Sequence, residues 1–185
     1  MFSLIVILVI LVLLAGWIIS IYNRLVKAKN LVDEGWSNID VVLKQRVNLI
    51  PNLVNTVKGY VKHEKKLLEQ VTQLRNQSLS AKTVPEQGNV ENALTQTLGR
   101  LFAVAEAYPD LKANQQFLDV QQQLSQLEEK IQMARRYYNG TARNLNTMTE
   151  TFPSNLIAKT FNFGKREYFE LEDAADRRVP KVKFD

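Results

Sequence analysis

The chain of 185 residues has no cysteine, a single histidine, seven glycines and five prolines. The absence of cysteine excludes disulfides and thiolate chemistry. His63 and Glu64 begin like a zinc-protease motif, but Leu67 stands where the second histidine is needed. No glycine-rich phosphate loop and no nucleophile elbow occurs. We therefore expect no enzyme activity and no cofactor, and we identify no catalytic, cofactor-binding or metal-binding residue.

Charge is missing from the first 21 residues. A helix over residues 1–23 would be roughly 34 Å long at about 1.5 Å per residue, enough to cross a hydrocarbon core of about 30 Å. A signal peptide is disfavoured because no basic residue precedes the apolar run, the run is too long, and no clean cleavage pattern follows it. We therefore predict an uncleaved transmembrane anchor. Its predicted membrane-spanning residues are Leu4, Ile5, Val6, Ile7, Leu8, Val9, Ile10, Leu11, Val12, Leu13, Leu14, Ala15, Gly16, Trp17, Ile18 and Ile19.

Positive charge begins directly after this run, at Arg24, Lys27 and Lys29. The positive-inside rule then places the N-terminus outside and the rest of the chain in the cytoplasm. The opposite topology, with an extracytoplasmic bundle, is the alternative. Trp17 and Tyr22 fit an aromatic belt at the inner boundary of the membrane.

The whole net charge of +5 lies between residues 24 and 80, which contain ten basic and five acidic side chains. Such a segment is attracted to anionic lipid headgroups, and an ordinary solvated helix face is the alternative. The surplus is small and no recognition motif accompanies it, so we expect no nucleic-acid partner.

Few glycines and prolines, together with many Leu, Gln, Glu, Lys and Ala residues, indicate helices. Apolar residues recur at steps of three and four from Val32 to Leu74, as on a helix with one buried stripe. Pro51 interrupts this pattern, and proline inside a helix costs about 3 kcal/mol. We interpret Pro51 as a kink or a break, with a first helix that ends near Leu49 and a second that runs to about Ser80.

Two further helices follow. Ser, Thr, Pro and Gly residues mark a turn over residues 78–89. The third helix is expected to start at Pro85 or Asn89 and to end near Ala107. The fourth is expected to run from about Asn114 to Pro153, with apolar residues at nearly heptad spacing.

The predicted fold class is all-α. A transmembrane helix (residues 1–23) continues into an antiparallel up-down four-helix bundle (residues 24–153). An aromatic segment and an irregular, charged C-terminal tail follow over residues 154–185.

Four charged residues are predicted to meet inside the bundle: Asp40, Arg46, Glu106 and Arg135. Inward-facing carboxylates are typical of di-iron bundles, but those need paired Glu-x-x-His motifs that one histidine cannot supply. We interpret the four residues as structural ion pairs that set helix register.

The sequence resembles the LemA family in several long motifs that occur in order between about residues 22 and 170. The longest are EGWSNID (34–40), RVNLIPNLV (46–54), AEAYPDLKA (105–113), ARRYYN (134–139) and FPSN (152–155). The resemblance implies a bacterial membrane protein with one N-terminal span and a helical bundle. It supplies no catalytic residues.

The leading functional hypothesis is a membrane-anchored, non-enzymatic interaction or scaffold protein at the cell (inner) membrane. Its partners would be the lipid bilayer and either a second copy or another membrane protein. Apolar residues with no obvious place in the core (Val179, Val182 and Phe184) form a candidate assembly tail, although this tail could instead fold back on its own bundle. The alternative function is a non-catalytic subunit or regulator of a membrane protease or other membrane enzyme.

Overall fold

The computed structural model describes residues 1–61 and 63–169 and shows only helices there, with no strand. The all-α prediction is confirmed. The candidate assembly tail (Val179, Val182 and Phe184) lies outside the described residues. The helices are α1 (Phe2–Lys58), α2 (Lys65–Ser80), α3 (Val84–Ala105), α4 (Pro109–Lys112), α5 (Gln115–Glu150) and α6 (Ser154–Thr160).

The first helix, α1, changes character along its length. Every side chain from Met1 to Trp17 is exposed, and this apolar part is long enough to cross a membrane. Burial begins at Ile21 and then recurs every three or four residues on one stripe. The buried stripe of α1 consists of Ile21, Leu25, Ala28, Val32, Gly35, Ile39, Leu43, Arg46, Ile50, Leu53 and Val57.

The predicted end of the first helix near Leu49 is wrong, because α1 continues through Pro51 to Lys58 without a break. Pro51 is exposed, whereas Ile50 and Leu53 on either side of it are fully buried. Packing of these flanking residues offsets the backbone hydrogen bond that proline cannot make. The helix ends instead at a turn in which the amide of Tyr60 donates to the carbonyl of Val57 (2.9 Å).

Two other predicted helix starts are confirmed by their capping interactions. The side chain of Thr83 accepts a hydrogen bond from the amide of Glu86 (3.3 Å), and Pro85 lies in the first turn of α3. Asn114 accepts a hydrogen bond from the amide of Phe117 (3.1 Å) at the start of α5. Both starts were visible in the sequence because they depend on local residue types.

The chain forms two compact units, and α1 and α5 contribute to both. The bundle unit consists of residues 44–128 with Phe169, and the anchor unit of residues 1–43 and 129–168. The up-down order and the domain boundaries proposed from the sequence stay predictions. The core of the bundle unit draws on α1 to α5 and includes Ile50, Leu53, Val57, Val71, Leu94, Leu101, Leu111, Phe117 and Leu124.

In the anchor unit, α1 approaches α5 closely at Gly35. A Cβ atom on Gly35 would lie 3.2 Å from the Cα atom of Tyr138 and 3.3 Å from a ring carbon of Tyr137. The rings of Trp36 and Tyr138 lie beside this point, 5.7 Å apart. Glycine therefore permits a backbone approach that a larger side chain would prevent.

Residues 161–168, here called the strap, follow α6 and pack on the same unit. Asn146 holds the backbone of Arg166 through two hydrogen bonds: its side-chain amide donates to the carbonyl (2.9 Å) and its side-chain oxygen accepts from the N–H (2.8 Å). The hydroxyl of Tyr138 donates to the carbonyl of Glu167 (2.9 Å). The predicted aromatic segment is thus a docked part of the fold, preceded by a helix, α6, that was not predicted.

Substitution of Gly35 tests the close approach of the helices. Gly35→Leu should destabilise the protein by about 1–3 kcal/mol, because the side chain overpacks the contact. Gly140→Ala is the matched control: Gly140 is an exposed residue inside α5 with no atom within 4 Å of an added Cβ. It should stabilise by about 0.5–1 kcal/mol through helix propensity. Denaturant unfolding in detergent, followed by circular dichroism, measures both; equal stability of the two variants would contradict the close approach.

The hydrogen bond between Tyr138 and the strap should make the stability of the protein depend on pH. Burial raises the pKa of Tyr138 above its ordinary value of 10.0, against the opposing charge of Arg166. The unfolded chain then loses this proton first, so stability should fall as the pH rises above about 10. Tyr138→Phe should reduce that fall, whereas Tyr137→Phe, at an exposed neighbouring tyrosine, should not. Thermal unfolding between pH 8 and 11 measures this, and identical profiles for both variants would contradict it.

Candidate functional site

A buried arginine lies inside the bundle unit. Arg46 occupies a core position on the stripe of α1, and its side chain is only 1% exposed. It forms a salt bridge with Glu91 of α3, which is equally buried, and a second one with Glu128 of α5 (2.7 Å). It also donates a hydrogen bond to the hydroxyl of Thr95 (2.8 Å). The buried guanidinium thus has a carboxylate partner on each of two other helices.

Glu91 accepts further hydrogen bonds on its other carboxylate oxygen. These come from the hydroxyl of Ser78 and from the side-chain amide of Gln87 (2.8 Å), both of which are buried. Together with Arg46 and Glu128, the network joins residues of α1, α2, α3 and α5. A carboxylate with several fixed donors is suited to holding helices in register rather than to proton transfer.

The structure corrects one member of the predicted charged network. Glu106 lies beyond the last residue of α3, is largely exposed and forms an ion pair with Lys112. Glu106 directly follows the buried Ala105, so it lies one position off the buried stripe of α3 and faces outward. Asp40 and Arg135 lie in the anchor unit, where Asp40 is half-buried and Arg135 is buried.

Glu91 and Glu128 were missed from the sequence. Glu91 could have been recognised from the sequence, because it is a charged residue on the apolar stripe of α3, just as Arg46 is on that of α1. The buried stripe of α3 consists of Gln87, Glu91, Leu94, Leu98, Leu101 and Ala105. Glu128 is 31% exposed and follows a core leucine, so its sequence context resembles that of any surface glutamate.

An open groove of about 820 Å³ runs along the same unit between the end of α1 and α2. Apolar side chains of Val54, Val61 and Leu68 line it. Exposed polar side chains, including Lys58 and Gln73, form its rim. Open grooves with apolar side chains and a polar rim are suited to binding an amphipathic segment.

The basic residues predicted to lie at the membrane surface are exposed. Arg24, Lys27 and Lys29 are all exposed, as a role at a lipid surface requires. Among the residues that the structure describes, no group of three or more His, Asp or Glu side chains is placed to hold a metal ion.

The family model of LemA matches residues 35–184. The chain belongs to the LemA family. The resemblance of the sequence motifs is thereby confirmed, and the long apolar start of α1 agrees with a membrane-associated protein.

Curated relatives of this LemA-family chain cover most of its length. Protein LemA of Metamycoplasma hominis is 28% identical over 153 residues, which is 82% of this chain and 69% of the relative. Magnetosome protein MamQ 2 of Paramagnetospirillum magneticum is 24% identical over 184 residues, covering 85% of this chain and 68% of the relative. Magnetosome protein MamQ of Magnetospirillum gryphiswaldense is 22% identical with the same coverage. None of these names is that of an enzyme.

A double-mutant cycle tests the arginine network. Arg46→Leu and Glu91→Leu should each cost about 3–5 kcal/mol, because each leaves a buried charge without its partner. The double variant should cost clearly less than the sum of the two. Glu106→Gln, which removes an exposed ion pair, should change stability by no more than about 1 kcal/mol. Unfolding by denaturant measures all four variants, and strict additivity of the two core substitutions would show that the pair is not coupled.

Proposed function

We propose that this protein is a membrane-anchored, non-enzymatic scaffold that assembles with copies of itself at the bacterial inner membrane. The observation that carries this proposal is the continuity of α1. One uninterrupted helix begins with exposed apolar side chains and ends in the core of the bundle unit. A helix of this kind holds a folded domain within a few turns of the bilayer.

The bilayer is the first partner in this proposal. The exposed Arg24, Lys27 and Lys29 follow the apolar run and would lie at the headgroup level on the cytoplasmic side. Each basic residue near an anionic surface contributes about 1 kcal/mol of attraction. Anionic lipids would therefore strengthen the anchoring without being needed for it.

A neighbouring copy is the second partner. The last described residue, Phe169, is buried in the bundle unit, which also contains the groove between α1 and α2. Residues 170–185 continue from this point and could reach about 50 Å if extended, at roughly 3.3 Å per residue. The candidate assembly tail contributes Val179, Val182 and Phe184, whose apolar side chains match the groove residues in character. We assign the tail of one copy to the groove of the next.

Light scattering of the full-length protein in mild detergent tests this assembly. The wild type should form a discrete species larger than one chain. Removal of residues 171–185 should reduce it to a monomer, and Gln73→Trp should do the same by filling the groove. Gln70→Trp is the matched control, because Gln70 is exposed on α2 but does not line the groove; this variant should keep the wild-type mass.

The outcomes separate the parts of the proposal. If truncation abolishes assembly but Gln73→Trp does not, the groove is not the surface that binds the tail. A monomeric wild type would overturn self-assembly altogether.

A second function, as the non-catalytic partner or regulator of a membrane protease or other membrane enzyme, is favoured by one observation. Lys58, Lys65 and Glu69 line the groove and are exposed; Glu69 pairs with Lys65 (3.8 Å), which leaves Lys58 as the excess positive charge for an acidic partner segment. A monomeric protein that binds a purified membrane protease, and loses this binding on charge reversal at Lys58, Lys62 and Lys66, would support this function instead. Of these three, Lys62 lies outside the described residues.

A further inference from the structure

Three large apolar side chains are exposed around α6. Phe152, in the connection between α5 and α6, is 74% exposed; Leu156 on α6 is 56% exposed, and Phe161 at the start of the strap is 51% exposed. We call these three residues the corner patch. They lie within ten positions of one another in the sequence, so the exposure is concentrated in one short segment.

Two contacts within the anchor unit place this segment beside the end of the apolar run. A cavity of about 230 Å³ is lined by Trp17 and Ile21 of α1 together with Pro153 and Ser154. Pro153 and Ser154 lie between Phe152 and Leu156 of the corner patch.

The second contact is aromatic. The ring of Tyr22 meets that of Phe161 edge-on, with the ring centres 4.8 Å apart. It meets the ring of Phe163 in the same way at 5.7 Å. Phe161 therefore lies at the level of α1 where burial has just begun, within two turns of the exposed Trp17.

We propose that the corner patch inserts into the lipid–water interface and gives the protein a second membrane contact beside its anchor. The occupant of this surface is the bilayer itself, because the patch adjoins the part of α1 that leaves the membrane. Exposed aromatic and aliphatic side chains partition into this interfacial layer, and cations beside them meet the headgroups. Arg24 lines the same cavity as Trp17, and Lys159 is exposed on α6, so both are placed for that role. This inference rests on the transmembrane anchor of the proposed function.

Site-directed spin labelling of the full chain tests the proposal, and the absence of native cysteine permits single labels without background. The labelled variants are Phe152→Cys and Leu156→Cys in the patch, Leu11→Cys in the anchor, and Met133→Cys as the control. Met133 is a suitable control because it is an apolar residue of the same unit with nearly the same exposure as Leu156, 54% against 56%. Each protein is placed in nanodiscs of phosphatidylethanolamine and phosphatidylglycerol, and collision rates with oxygen and with a water-soluble nickel complex are measured.

The ratio of oxygen to nickel collisions should be several times higher at Leu156 and Phe152 than at Met133, and highest at Leu11. Equal ratios at Leu156 and Met133, with a high ratio at Leu11, would overturn the interfacial contact and leave the anchor intact. A low ratio at Leu11 would overturn the anchor itself. Protection of Leu156 from both reagents would mean that protein covers the patch, which also overturns the proposal.

Discussion

The fold depends on α1, a single helix whose surroundings change along its length. Its exposed apolar start is long enough to cross a membrane, where peptide groups have no water to bind and a helix satisfies their hydrogen bonds internally. The same helix then supplies one side of both compact units, and its rotational phase decides which residues face inward. Ile21, Gly35 and Arg46 lie on one stripe because this phase is kept from the apolar run onward. Gly35 then meets α5 at close range, and Arg46 meets carboxylates on α3 and α5.

The buried charge of Arg46 is costly to remove from water, and its benefit lies in selectivity. Its guanidinium needs acceptors on α3 and α5 at the same time, and Glu91 and Glu128 provide them. A shift of either helix by one turn would put an uncharged residue in place of the carboxylate. Apolar packing alone would tolerate such a shift more easily, because leucine-rich stripes repeat along these helices. The two ion pairs therefore favour the observed alignment of α1, α3 and α5.

Features that depend on local residue types could be predicted from the sequence, whereas those that depend on distant contacts could not. The apolar run, the stripe on α1 and the starts of α3 and α5 follow from periodicity and capping residues. Pro51 was misjudged because its cost is set by the packing of its neighbours, which one sequence does not show. In the candidate site, Arg46 was recognisable as a charge at an apolar position. Its partners were not, since Glu91 and Glu128 are 45 and 82 positions away. The strap depends on Asn146, an ordinary polar residue until its two bonds to Arg166 are seen.

The aromatic contact between Tyr22 and the strap has a consequence for how this protein can be divided. The apolar run and the folded part are not joined by a linker, because Ile21 is already buried and Tyr22 already packs on Phe161 and Phe163. A cut after residue 23 would remove one wall of the strap's binding surface together with the anchor. A shortened chain that keeps the strap's surface must therefore retain Ile21 and Tyr22, so the apolar run can be removed only up to the residues before Ile21.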